Sequence, residues 1–170
     1  IVAPAATGAT GTGYTLTTKK QWQSSSSTTG ATSTYDGDAN TALMTSSPAA
    51  DFCTGLTIGV YSDWYLPARY ELDIAYENLK PTTATNNTSW GINPYSVPER
   101  TVNRTAGVPA QTSVAAFQAG GGESFVASNH WSSTESGATN AWELKFSDGD
   151  QGNSPKNGTT RVRAFRKVAL

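Results

Sequence analysis

The sequence predicts an α+β domain in which one or two short helices pack on a small antiparallel sheet, with long loops between them. Three observations carry this expectation. Leu72, Ala75, Tyr76 and Leu79 recur at i, i+3, i+4 and i+7, which is the apolar stripe of a helix. Trp142, Leu144 and Phe146 alternate with Glu143 and Lys145, which is the period of a strand. Between them, residues 81–110 are rich in Asn, Thr, Pro and Gly, a stretch too long to be an ordinary connection.

The elements follow in order. Residues 1–13 are Ala, Thr, Gly and Pro without periodicity and read as a linker or stalk end. Residues 14–170 then form the folded domain. Residues 14–22 predict a first strand. Residues 24–34 are a Ser/Thr run around Gly30, hence a loop. Residues 56–60 predict a strand, and Asp63, Trp64 and Tyr65 lead into a helix over residues 68–79. Pro67 suits its first turn, where a missing N–H is not needed, and Pro81 stops it. A second short helix is predicted over residues 112–119, ended by Gly120, Gly121 and Gly122. Residues 141–146 and 161–168 predict strands. Asp148-Gly149-Asp150 and Asn157-Gly158 supply turns between them.

Composition excludes several classes. Apolar residues make up 36% and charged residues 15% of the 170, and 43 positions are Ser or Thr. Such polarity is compatible with disorder, but 10% aromatic residues and five Trp argue for a packed core. Net charge is −1 with no long basic run, so the several phosphate contacts that nucleic-acid binding requires have no source. No apolar run approaches the roughly 20 residues of a membrane-spanning helix. Cys53 is the single cysteine, so no internal disulfide forms.

Candidate chemical motifs each meet a plainer reading. Cys53 and His130 are the one thiol and the one imidazole, but no orienting third group accompanies them. Cys53 reads as a buried structural residue and His130 as a core or rim aromatic. Asp36, Asp38 and Asn40 have the spacing of the first ligands of a calcium loop, but position twelve holds Ser47 where a bidentate Glu is needed. The segment therefore reads as an Asx-rich turn. No metal and no cofactor is expected. Gly120-Gly121-Gly122 lacks the Lys and Ser/Thr of a phosphate loop. Glu71, Glu123, Glu135 and Glu143 offer carboxylates, but nothing in their spacing pairs two of them for glycoside hydrolysis.

An ordered set of segments resembles one family. Asp63-Trp64-Tyr65-Leu66-Pro67-Ala68-Arg69-Tyr70-Glu71-Leu72 is followed by Trp131-Ser132-Ser133-Thr134-Glu135. Ala141-Trp142-Glu143-Leu144-Lys145-Phe146 and Arg161-Val162-Arg163-Ala164-Phe165-Arg166 complete it. This series resembles the C-terminal domain of the Legionella collagen-like adhesin. It is also similar to the variable proteins of diversity-generating retroelements. The resemblance implies a C-type lectin-like fold of the formylglycine-generating-enzyme branch. That branch's enzymes use paired cysteines, so their chemistry does not transfer to a chain with one. Sugar binding through the calcium-dependent long-loop motifs of C-type lectins is not implied either, since those motifs are absent.

The resemblance implies a binding module, not an enzyme. The first expectation is a phage tail-fibre or capsid-decoration tip on a virion, contacting bacterial surface glycan or protein. A bacterial surface adhesin, or a structural subunit contacting other virion subunits, is the alternative. A homotrimer is expected, with no membrane insertion. The expected contact positions are Asn129, Glu135, Asn140, Glu143, Lys145, Asp148, Asp150, Gln151, Asn153, Lys156 and Asn157. Strand alternation and turns are expected to bring them to one exposed face, with Trp142 and Phe146 buried beneath as support.

Overall fold

The computed structural model describes residues 1–10 and 19–168. The chain is α+β. Its elements are α1 (Ala5–Gly8), β1 (Lys20–Gln21), α2 (Gly37–Leu43), α3 (Pro48–Thr54), α4 (Arg69–Leu79), β2 (Asn129–Glu135), β3 (Asn140–Lys145), β4 (Gln151–Pro155) and β5 (Thr159–Thr160). Strands β2, β3 and β4 form an antiparallel sheet in that order, and β1 pairs antiparallel with β5.

Helix α4 stands where the apolar period places it. Leu72, Ala75 and Tyr76 are buried on it, and it packs against β2 and β3. Ala68 has no capping oxygen, so the carboxylate of Glu71 reaches back and accepts from Ala68 N at 2.8 Å, half of a capping box. Glu71 also accepts from Gly37 N at 3.0 Å and from the Tyr65 hydroxyl at 2.8 Å, which ties the starts of α2 and α4 together. Gly37 is needed there because a Cβ would come within 2.6 Å of Glu71 Oε2, Leu66 O and Ala68 N.

Strand β2 is buried at every position except Asn129. One edge pairs with β3. Along the other, Trp131 N donates to Arg161 O, Ser133 N to Pro67 O and Glu135 N to Ala31 O, each at 2.8 Å. Three separate segments thus complete the backbone bonding that a buried strand requires. The apolar core has two parts. Trp22, Met44, Cys53, Trp64, Leu66, Trp131 and Val162 form one. Leu72, Tyr76, Phe125, Leu144, Phe146 and Phe165 form the other, with Phe125 and Phe146 stacked at 4.0 Å.

Several expectations need correction. Residues 1–10 are not a free linker: Ala3 N donates to Ala164 O, Ala164 N to Gly8 O and Thr10 N to Val162 O, and Ala3 is fully buried. Small side chains, unhelpful as a periodic signal, are what let this segment lie against the C-terminal one. The expected first strand falls partly outside the described residues, and its described part is the two residues of β1. Residues 56–60 make no strand but a turn closed by Ile58 and Tyr61. The second helix shrinks to a 3₁₀ turn at Ala115–Phe117. Residues 161–168 run as single bridges from Arg161, Arg163 and Phe165 to different partners, not as one strand.

The Asp36 turn opens helix α2, which the calcium-like reading did not anticipate. Asp36 is its N-cap and accepts from Ala39 N at 3.1 Å. Ser47, at position twelve, caps α3 in the same way, accepting from Ala50 N. Asn40 turns inward, bonding Ser33 and Ser133 Oγ. Among the described residues no cluster of three or more His, Cys, Asp or Glu could hold a metal.

Candidate functional site

The long segment of residues 81–110 contains no regular helix or strand, yet polar side chains fasten it to α4 and the sheet. Asp73, buried on α4, is the hub. It accepts from Arg100 and Arg104, from Asn93 Nδ2 at 3.0 Å and from Gln151 Nε2 at 2.9 Å. Arg104 also bonds Glu77 Oε1 at 2.6 Å and Gly149 O at 2.8 Å. At the loop's base Lys80 Nζ donates to Asn86 Oδ1 at 2.7 Å and to Pro109 O at 3.3 Å. Burial lowers the Lys80 pKa. Gly149, at φ +75°, makes room for the Tyr76 ring, which a Cβ would meet at 2.5 Å.

This anchoring lays a row of rings beside the first turn of α4. The Arg69 guanidinium lies 3.9 Å from the centre of the Trp142 ring, 5.0 Å from Trp90 and 5.6 Å from Tyr70. Trp90 meets Trp142 edge-on at 6.2 Å. Tyr95 lies 5.6 Å from Tyr70 and stacks on Tyr35 at 4.3 Å. Tyr35 is 52% and Tyr95 47% exposed, and the other members are half-buried. Polar groups rim the row. Asp150 Oδ1 accepts from Asn87 Nδ2 at 2.7 Å and Trp90 Nε1 at 3.0 Å.

Arg69 is fixed by its Nε, which donates to Gln151 Oε1 at 2.6 Å. Burial lowers its pKa, and among the described residues no carboxylate pairs with it. A planar cation held on aromatic faces, with its outer nitrogens unpaired among the described residues, is a ready donor to hydroxyls or acidic oxygens.

The expected contact residues separate into two groups. Asp150 belongs to the ring-lined face. Asn153 pairs across from Trp142 and is exposed, accepting from Asn140 Nδ2 at 2.9 Å. Lys145 and Asp148 form an ion pair at the β3–β4 turn, 2.7 Å apart. Asn157 is exposed, and its carbonyl accepts from Gln21 Nε2. Four others are buried, which corrects the expected single exposed face. Glu135 and Lys156 pair with each other inside the protein. Gln151 bridges Arg69 and Asp73. Glu143 accepts from Asn129 Nδ2 at 2.5 Å and Ser154 Oγ at 2.9 Å.

The reason is that the far side of the sheet is also covered, so alternation does not send Glu143 into solvent. Trp142, expected beneath the surface, is half-buried at it. Arg69, Tyr70, Trp90, Tyr95 and Tyr35 were not anticipated. For Tyr35, Trp90 and Tyr95 the signal is a ring in mostly polar loop sequence, whereas Arg69 and Tyr70 open helix α4.

His130 is buried, its ring 5.4 Å from Phe125 and 4.9 Å from Phe146. Its Nδ1 lies 3.0 Å from Ser128 O. Burial pushes its pKa down to about 3, so the imidazole is neutral at ordinary pH. Cys53 belongs to the other apolar cluster, and burial pushes its thiol pKa up.

Fold and site together define a small α+β domain whose long, side-chain-anchored loop presents rings over a three-stranded sheet. The family model of the Lcl C-terminal domain matches residues 11–166. The chain therefore belongs to the C-terminal domain family of the Legionella collagen-like adhesin, and membership points to an adhesin-like surface domain. Neither the curated proteins nor the solved structures give a match. Among the described residues no helix is long and apolar enough to cross a membrane.

Proposed function

We propose that this is a non-enzymatic recognition domain that binds glycan on a bacterial surface through the ring-lined face. The row Tyr35, Tyr95, Tyr70, Arg69, Trp142 and Trp90 carries the reading. Pyranose rings present flat C–H faces that stack on aromatic rings, and their hydroxyls take directed hydrogen bonds. Rings on a rigid frame also lose little side-chain freedom on binding. The adhesin-family membership supports the same reading.

Display on a phage tail-fibre or capsid-decoration tip and display on a bacterial cell surface use the same chemistry. We carry the virion as the first of these, with homotrimeric assembly. The C-type lectin-like fold belongs to this proposal too. It is supported by the order of helix, long loop and final sheet, and by the pairing of the N-terminal segment with the C-terminal one.

The test is binding to arrayed bacterial surface polysaccharides by the parent and by Trp90→Ala/Tyr95→Ala. The expected result is a loss of about tenfold or more, the scale of one or two stacked rings. A double variant that melts like the parent and binds equally well would place the site elsewhere.

A further inference from the structure

The opposite side of the sheet holds a second feature, independent of the ring-lined face. Trp142 and Glu143 are neighbours in β3, so their side chains leave opposite faces. Glu143 lies across from Trp131 in β2 and Gly152 in β4. It lines a cleft of about 400 Å³ together with Lys19, Asn129, Ser154 and Thr159.

Glu143 differs from the other buried acids. Among the described residues three carboxylates are buried: Asp73, Glu135 and Glu143. Asp73 meets Arg100 and Arg104, and Glu135 meets Lys156. Glu143 is only 9% exposed and, among the described residues, has no cation within ion-pair distance. Residues 11–18 contain no Lys or Arg that could supply one. Among the described residues its two hydrogen bonds, from Asn129 Nδ2 and Ser154 Oγ, both fall on Oε1, and Oε2 takes none.

Burying a carboxylate without a partner is costly, and proteins normally meet the cost with a cation or a full set of donors. Here one oxygen is satisfied, and the other is left on a cleft roomy enough for a small polar group. No carbon crowds the far strand, since a Cβ built on Gly152 would meet nothing within 4 Å. The ion-pair partner that the other two buried acids find within the chain is, for Glu143, left to come from outside.

We infer that the Glu143 cleft is a binding site for a primary ammonium group, received by Glu143 Oε2. An amino sugar with a free amine and a lysine side chain of a protein partner share this chemistry. The hydroxyls of Thr159 and Ser154 lie beside the cleft to take the ligand's remaining polar groups. This site lies apart from the proposed glycan face, so either can fail without the other.

Amide resonances are followed while the whole chain is titrated at neutral pH with glucosamine, N-acetylglucosamine and Nα-acetyl-lysine methylamide. The expected result is saturable shifts at Asn129, Glu143 and Ser154 from glucosamine or the lysine derivative, with none from N-acetylglucosamine. Whichever ammonium probe binds identifies the source. In Glu143→Gln, which keeps an acceptor for Asn129 and Ser154, affinity should fall about tenfold or more. Thr159→Trp, at the exposed mouth, should block the cleft while leaving Glu143 untouched, and provides the same readout if the first variant folds poorly.

No shift from either ammonium probe up to about 10 mM, the weak end of specific binding, would overturn the inference. So would equal binding by N-acetylglucosamine, or unchanged binding in both variants. Binding seen only in Lys19→Ala would also overturn it, by showing that Lys19 serves as the internal partner.

Discussion

Glu135 and Lys156 form a buried ion pair, Oε2 to Nζ at 2.9 Å, with both side chains essentially inaccessible. Glu135 also accepts from Thr29 N and Gly30 N, each at 2.9 Å, and Lys156 Nζ donates to Ser27 O at 2.7 Å. The pair therefore clamps the Ser/Thr-rich loop onto the end of β2. Lys156→Met leaves Glu135 charged and buried, and should cost about 3–5 kcal/mol in urea unfolding. Glu135→Gln/Lys156→Met should cost less than the two single changes added together, because the sites are coupled. Strict additivity would mean that the two charges do not depend on each other.

The same pair sets an acid limit. Burial alone would raise the Glu135 pKa, but the amides of Thr29 and Gly30 and the Lys156 ammonium outweigh it, so the folded value lies below 4.5. A depressed carboxylate pKa stabilises the fold fully above the unfolded value, and this stability is lost as pH falls through the folded one. The melting temperature of the parent should therefore fall more steeply below pH of about 4.5 than that of Glu135→Gln. Parallel curves would contradict this assignment.

How much of this was legible in the sequence depends on what each residue does locally. Helix α4 could be read because its own apolar period matches its burial, and strand β3 because of its alternation, although Trp142 is half-buried and Glu143 buried where the alternation predicts the reverse. Helices α2 and α3 are each seven residues long and begin at Asp36 and Ser47. Asp36 reads as part of an Asx-rich turn and Ser47 as the residue that breaks a calcium-like spacing, so neither capping role is legible from the spacing alone. The roles of Glu135 and Lys156 could not be read, because each depends on a partner 21 residues away and on a loop folded over both. The ring-lined face was missed for a related reason. Trp90 and Tyr95 join Arg69 and Trp142 only once Asp73 has gathered Arg100, Arg104 and Asn93. The site is thus a product of tertiary anchoring, not of any one motif.

Asp73 should hold the long loop in place. Asp73→Asn leaves the Arg104 side chain, 1% exposed, facing a neutral amide. The expected loss is about 3–5 kcal/mol. Hydrogen exchange should accelerate first at the amides of Asn93 and Arg104, which bond within the loop, before the sheet opens. Uniform acceleration across β2 and β3 would show that the loop does not open as a separate unit.

Calcium should not stabilise the domain through the Asp36 turn. Asp36 caps α2, and its Oδ1 also accepts from Lys167 Nζ at 2.6 Å, so the carboxylate is already engaged. Asp36→Ala should cost about 1 kcal/mol, the usual worth of an N-cap, equally with and without millimolar calcium. A melting-temperature rise on adding calcium that disappears in this variant would reverse the reading, since a ligand bound to the native state must raise it.

Arg69 is the position at which stability and binding meet. Its guanidinium plane lies on Trp142, and its Nε is spent on Gln151. Only the outer nitrogens remain for a ligand. Arg69→Lys keeps the charge but supplies neither the plane nor the fixed Nε donor, so this exchange is not conservative. Loss of the stacking and of one hydrogen bond should lower stability by about 1–2 kcal/mol. Binding to the surface polysaccharide should weaken further, because Trp142 and Trp90 would lose the group that holds them side by side. Trp142→Phe, which keeps a ring for Arg69, should retain more binding than Arg69→Lys. Tryptophan fluorescence during polysaccharide titration reads both, since Trp90 and Trp142 are the half-exposed indoles that touch each other. If Arg69→Lys bound like the parent while losing the expected stability, Arg69 would be a brace for the surface and not a ligand contact.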